Sequence, residues 1–214
     1  MMKTRLVLRF SLFLNLLFLF SFLTFSYIYR DKLFQRFVSF KGSQKIVMYG
    51  NSITAQGKWV ELLGRTDVIN SALPGQCTYH FLDAIQYRVI DLHPKICFMM
   101  GGINDITIGV APDKIQSNYK AILETILKNN IIPIVTLTLY EQNDHISKIE
   151  VNRLNNFLAN YCRKNNIKCI DLNQFISDST GLKSEYARDK THLNEKAYKV
   201  WAREIEKVLK EKGI

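Results

Sequence analysis

A histidine and an aspartate stand three residues apart near the C-terminus, at His192 and Asp189. A histidine can take a proton from a hydroxyl only if its ring is held in the correct tautomer, and a carboxylate bonded to the other ring nitrogen does that. On a turn, side chains at positions i and i+3 can meet without help from distant structure. The pair is therefore a candidate general base with its orienting carboxylate, although the same spacing also occurs where an aspartate caps a helix.

Three short polar motifs precede this pair, and each follows an apolar run that predicts a buried strand. They are Gly50-Asn51-Ser52-Ile53-Thr54, Asn70-Ser71-Ala72-Leu73-Pro74-Gly75 and Gly101-Gly102-Ile103-Asn104-Asp105. In open parallel sheets, ligands bind outside the carboxyl ends of the strands. We therefore expect the three strand ends to meet at one crevice, which the turn at 189–192 must also reach.

In their order along the chain, Ser52, Gly75, Asn104 and His192 resemble the four blocks of the SGNH hydrolases, also called GDSL esterases and lipases. Asp189, three residues before the histidine, completes the pattern. The resemblance runs from about residue 45 to the C-terminus. It implies a catalytic triad of Ser52, His192 and Asp189.

Asn51 departs from the family pattern, which usually has aspartate before the nucleophile. Asparagine keeps an acceptor oxygen but loses the charge. We expect activity to be retained.

The resemblance also implies an oxyanion hole made by the backbone N–H groups of Ser52 and Gly75 and the side-chain amide of Asn104. An ester carbonyl attacked by serine develops a negative charge on its oxygen, and fixed donors must point at that oxygen. A glycine N–H can approach closely because no Cβ is in the way, and an asparagine amide donates without ionising.

These residues imply a serine ester hydrolase that works through an acyl-enzyme and needs no metal or organic cofactor. The first expectation for its substrate is an O-acetylated glycan or another small acyl ester. Lysophospholipid or thioester cleavage, and acyl transfer to a sugar, remain alternatives. So does a non-enzymatic reading, in which a degenerate hydrolase only binds carbohydrate and Asn51 marks the loss of activity.

The positive charge of this chain is concentrated near its N-terminus. The 214 residues carry a net charge of +10, of which +6 lies in residues 1–44. Nucleic-acid binding is not expected, because the excess flanks an apolar segment and no nucleic-acid-binding motif is present. The sequence leaves the oligomeric state open.

The apolar segment covers residues 10–29, which contain no charged side chain. Twenty helical residues span about 30 Å, the thickness of a bilayer core. We expect a basic N-terminus at 1–9, a transmembrane signal-anchor at 10–29 and a linker at 30–44, with the catalytic domain outside the cytoplasm. The alternative is a signal peptide that is cleaved near Thr24-Phe25-Ser26, giving a secreted protein.

The four cysteines match no common zinc pattern. Cys97 lies within an apolar run and is expected to be a buried thiol. Cys162 and Cys169 bracket a short turn and could pair in an oxidising compartment, or remain free.

Residues 45–214 alternate between apolar runs and helical patterns. Strands are expected at 45–50, 67–71, 95–101, 131–139 and 168–172, and helices at 57–65, 78–91, 112–130, 146–165 and 194–212. Continuous apolar strands favour a parallel sheet that is covered on both faces. The predicted fold is an α/β/α three-layer sandwich with a five-stranded parallel sheet, flavodoxin-like, preceded by one N-terminal transmembrane helix.

Overall fold

The computed structural model describes residues 2–29 and 45–214. The expected linker at 30–44 lies outside the described residues. The chain divides into two compact units, one of which contains the N-terminal helix and the other the α/β domain.

The N-terminal unit contains helix α1, Met2–Ile28. Its apolar stretch Ser11–Ile28 is long and apolar enough to cross a membrane. The helix is therefore compatible with a membrane anchor or with a signal peptide, and it continues through the basic N-terminus without a break at residue 10.

The α/β domain is built on a sheet of five parallel strands in the order β2-β1-β3-β4-β5. The strands are β1 Ile46–Gly50, β2 Val68–Asn70, β3 Ile96–Met100, β4 Ile132–Thr136 and β5 Lys168–Ile170. The chain moves outward from β1 to β2, then returns across β1 to continue through β3, β4 and β5. This order places a topological switch point between β1 and β3, where open α/β sheets bind their ligands.

Helices cover both faces of the sheet. They are α2 Ser52–Ala55, α3 Trp59–Leu63, α4 Thr78–Arg88, α5 Ile103–Thr107, α6 Pro112–Lys128, α7 His145–Lys164, α8 Asn173–Ile176 and α9 Glu195–Lys212. A two-stranded antiparallel hairpin, β6 Ser177–Asp178 with β7 Gly181–Leu182, follows α8.

Two hydrophobic cores lie on opposite faces of the sheet. Alternate residues of β1 divide between them, since Ile46 and Met48 enter one core while Val47 and Tyr49 enter the other. The first core contains buried side chains of α3 and α9, and the second contains those of α4, α6 and α7. This is the three-layer sandwich that the sequence predicts, and both faces are buried because the crossover helices cover them.

The predicted strand at 131–139 is too long, because regular pairing ends at Thr136. Residues 137–139 remain buried, but the side-chain amide of Asn155 pairs with the backbone N–H and C=O of Thr138, at 2.8 and 2.9 Å. An amide side chain thus takes the place of a neighbouring strand. Similarly, the helix predicted at 78–91 ends at Arg88 and continues as a 3₁₀ turn over Ile90–Leu92.

Candidate active site

Ser52 is the first residue of α2, where β1 gives way to a helix of only four residues. The side chain of Asn51 caps this helix by accepting a hydrogen bond from the Ile53 N–H at 3.0 Å. Gly50 precedes the cap, and a Cβ there would lie 2.4 Å from the Met100 carbonyl oxygen. The nucleophile candidate thus stands on a tight turn that only glycine permits.

The other end of α2 is held by side chains from three different elements. The Trp59 indole donates to the Thr54 carbonyl at 2.8 Å, and the Tyr198 hydroxyl donates to the Ile53 carbonyl at 2.6 Å. The Asn70 amide, at the end of β2, donates to the Ala55 carbonyl at 3.0 Å. A helix of one turn cannot be stable by itself, so these contacts fix Ser52 in place.

His192 connects Ser52 to Asp189. The Ser52 Oγ lies 2.9 Å from His192 Nε2, and His192 Nδ1 lies 2.9 and 3.0 Å from the two carboxylate oxygens of Asp189. An ionised carboxylate can only accept hydrogen bonds, so Nδ1 carries the proton and Nε2 presents its lone pair to Ser52. The structure therefore brings together the three residues that the sequence selects as a triad.

Asp189 also shapes the turn that carries His192. Its Oδ1 accepts the backbone N–H groups of Thr191 at 3.0 Å and His192 at 2.8 Å, and Arg188 donates to its Oδ2 at 3.2 Å. Desolvation opposes ionisation, but the hydrogen bonds from His192, Thr191 and Arg188 hold the pKa of the Asp189 carboxyl well below its usual value. The orienting group is thus a stable anion at neutral pH.

The loop after β4 also binds the turn that carries Asp189 and His192. Glu141 is buried and accepts a hydrogen bond from the Thr191 hydroxyl at 2.7 Å. Lys190 forms an ion pair with Asp144 at 2.8 Å, and the Lys190 carbonyl accepts the Gln142 N–H at 2.8 Å. The sequence does not point to Glu141, because no spacing pattern connects it to Thr191, a residue fifty positions away.

Gly75 and Asn104 follow β2 and β3, the two neighbours of β1. Gly75 has φ +75°, a left-handed backbone conformation that favours glycine. Among the described residues, no atom lies within 4 Å of the position that a Cβ would take there. The backbone conformation is therefore a second reason for glycine, beside the close approach of its N–H to an oxyanion that we expect.

Asn104 lies in the first turn of α5, and its side-chain amide donates one hydrogen to the Gln76 carbonyl at 2.9 Å. A primary amide has two hydrogens, so the second remains for another acceptor. The bond to Gln76 fixes the plane of the amide and ties Asn104 to the segment that carries Gly75.

A scan of family models places residues 48–200 in the GDSL-like lipase/acylhydrolase family. The match covers most of the chain and includes Ser52, Gly75, Asn104, Asp189 and His192. The protein therefore belongs to this family.

Solved structures with the same fold include a GDSL-like lipase from Bacteroides thetaiotaomicron. It is 21% identical, has a TM-score of 0.74, and the match covers 86% of this chain and 98% of that one. Another is a catalytic mutant of an acetylxylan esterase from Geobacillus stearothermophilus, 16% identical with a TM-score of 0.66, covering 77% of this chain and 93% of that one. At these identities the likeness establishes the fold.

Among curated proteins, the chain is similar to an N-acylneuraminate cytidylyltransferase from Streptococcus agalactiae serotype V. The two are 24% identical over 103 residues, which are 47% of this chain and 24% of the relative. The match therefore involves about a quarter of that protein.

Proposed function

We propose that the protein is a serine esterase that uses Ser52, His192 and Asp189 as its triad and removes O-acetyl groups from a glycan or another small acyl ester. The observation that carries the proposal is the 2.9 Å separation between Ser52 Oγ and His192 Nε2, with the Asp189 carboxylate on the opposite ring nitrogen. That geometry lets a neutral imidazole accept the hydroxyl proton.

In the first half of the reaction, Ser52 Oγ attacks the ester carbonyl while its proton passes to His192 Nε2. A bond forms between Oγ and the carbonyl carbon, and the negative charge moves to the carbonyl oxygen. When the tetrahedral intermediate collapses, the alcohol leaves with the proton from His192. Ser52 is then acylated.

In the second half, water attacks the acyl-enzyme and gives its proton to His192, which returns it to Ser52 as the carboxylic acid leaves. Both tetrahedral intermediates place their charge on the same oxygen. The N–H groups of Ser52 and Gly75 and the amide of Asn104 are proposed to bind it. Loss of one such donor typically lowers turnover by about 10²–10³.

Two similarities favour an acetylated sugar as the substrate. One structural neighbour is an acetylxylan esterase, and the curated relative is named for an N-acylated sugar. Helix α1 favours a second candidate, a lysophospholipid, because an anchored enzyme would meet lipid substrates at the bilayer surface. Thioesters and acyl transfer to a sugar use the same acyl-enzyme.

The experiment is a panel of acetylated xylooligosaccharides, O-acetylated sialic acid, lysophosphatidylcholine and acetyl-coenzyme A, with Ser52→Ala as the control. We expect acetate release from a sugar and loss of that release in Ser52→Ala. Adding unacetylated sugar separates transfer from hydrolysis, because transfer would yield acetylated acceptor. Turnover of lysophosphatidylcholine alone would overturn the sugar assignment but leave the triad standing.

A further inference from the structure

Asp105 is a carboxylate that the proposed reaction leaves unused. It is fully buried, directly follows Asn104 on α5, and has no ion-pair partner within 4 Å among the described residues. Burial raises the pKa of this carboxyl, and hydrogen bonds from Thr78 oppose the rise. Burying an anion without a cation is costly. Other interactions of the carboxylate must therefore offset this cost.

Among the described residues, every hydrogen bond that the Asp105 carboxylate accepts from another residue comes from Thr78, the first residue of α4. The Thr78 N–H lies 3.0 Å from both carboxylate oxygens, and the Thr78 hydroxyl lies 2.6 Å from Oδ1. The first N–H groups of a helix have no partner within the helix. Asp105 supplies the cap from another element, and thereby joins α5 to the start of α4.

Asn118 completes this network from α6. Its amide donates to the Thr78 hydroxyl at 2.9 Å, and both residues are buried. The Thr78 oxygen therefore accepts from Asn118 and turns its own hydrogen towards Asp105. Because each of these groups acts as a donor or an acceptor in a fixed direction, the contact between Asp105, Thr78 and Asn118 has one hydrogen-bonding arrangement.

The consecutive residues Asn104 and Asp105 hold the chain after Gly75 at two points. Asn104 donates to the Gln76 carbonyl, and Asp105 accepts the Thr78 N–H. Gln76 and Thr78 are one and three residues beyond Gly75. Two contacts on alternate residues fix both the position and the direction of this segment relative to α5.

We propose that Asp105 is a positioning residue that sets the placement of the Gly75 N–H relative to the Asn104 amide, so that both donors point at one oxyanion. The inference rests on the proposed function, because it assumes that these two groups form the oxyanion hole. Oxyanion donors act by being placed before the charge develops, so a small displacement reduces the rate without abolishing substrate binding.

Asp105→Asn tests this inference, because an amide offers one acceptor and would direct its N–H₂ towards the Thr78 N–H. We expect kcat for p-nitrophenyl acetate to fall about 10- to 100-fold, less than the roughly 10²–10³ that complete loss of an oxyanion donor costs, with KM changed less than about threefold. Asp83→Asn, which removes an exposed charge from α4, the helix that begins at Thr78, should leave kcat unchanged. Thr78→Val should also lower kcat, and Thr78→Ser should retain it.

The decisive measurement is a double-mutant cycle with Asn104→Ala. If Asp105 positions the donors, Asp105→Asn should reduce kcat much less in the Asn104→Ala background than in the wild type. An equal reduction in both backgrounds would overturn the inference. If Asn104→Ala alone leaves kcat unchanged, the proposed oxyanion hole itself is wrong. If Asp105→Asn does not fold, Thr78→Val takes its place in the cycle.

Discussion

At the scale of single residues, Asp189 both orients the His192 ring and shapes the turn that carries it. The same oxygen that faces the His192 ring accepts the backbone N–H groups of His192 and Thr191. The position of the ring and the shape of its turn therefore depend on one carboxylate. This is how two residues three positions apart can form the pair without help from distant structure.

The depressed pKa of Asp189 predicts a pH-dependent contribution to stability. A carboxyl group whose pKa is lower in the folded than in the unfolded state stabilises the fold at pH values above its unfolded-state pKa, which is about 4. This stabilisation is lost as the pH falls towards the folded-state pKa. Urea unfolding of the wild type and Asp189→Asn should differ more at pH 6 than at pH 3. A difference that is constant or grows with acidity would contradict the assigned charge.

Asn51→Asp should retain turnover within a few-fold. The Asn51 Oδ1 already accepts the Ile53 N–H, and its Nδ2 has no hydrogen-bond partner among the described residues, so aspartate keeps the bond and loses none. Asn51→Ala removes the cap and should lower the free energy of unfolding by about 1 kcal/mol. A large loss of kcat in Asn51→Asp with an intact fold would show that the amide nitrogen acts in the reaction.

At the scale of elements, the sequence predicts best those strands and helices whose residue patterns are long enough to repeat. The apolar runs and helical periodicity identify the five strands and the four long helices of the domain, α4, α6, α7 and α9. The helices α2 and α5, which carry Ser52 and Asn104, are only four and five residues long. Segments this short have no periodicity to detect, and distant groups hold them. Asn70 and Tyr198 bond carbonyls of α2, and Thr78 bonds the Asp105 side chain of α5.

Gly50→Ala should disrupt the turn that presents Ser52. Its Cβ would lie 2.4 Å from the Met100 carbonyl oxygen and from Thr54 Oγ1, and backbone cannot move aside cheaply. We expect a loss of about 1–3 kcal/mol in unfolding free energy and a marked fall in kcat. Gly64→Ala is the control, because its Cβ would meet no atom of the described residues within 4 Å and only its left-handed φ of +58° is strained. This variant should lose stability but keep kcat.

At the scale of the whole molecule, strand order explains why residues from distant blocks can meet. Ser52, Gly75 and Asn104 follow β1, β2 and β3, which are adjacent in the sheet although β2 and β3 are joined by a long crossover. The contacts between the loop after β4 and the Asp189 turn could not be predicted, because a contact such as that of Glu141 with Thr191 follows no spacing pattern in the sequence. The family pattern locates the groups but not what holds them.

Helix α1 predicts membrane association of the full chain. Protein expressed from residues 1–214 should remain in the membrane pellet after alkaline carbonate extraction and retain its N-terminal residues in intact mass, whereas residues 45–214 should be soluble with the same kcat. Those residues contain both hydrophobic cores, so they should fold alone. A mature chain that begins just after Ser26 would replace the anchor with a cleaved signal peptide.

The central claim is that His192 activates Ser52, and labelling with a fluorophosphonate tests it most directly. The reagent phosphonylates activated serines, and peptide mass spectrometry identifies the modified residue. We predict a single adduct on Ser52, no adduct in Ser52→Ala, and labelling slowed at least a hundredfold in His192→Ala. An unlabelled Ser52 in folded protein, or labelling that is equally fast without His192, would contradict the account.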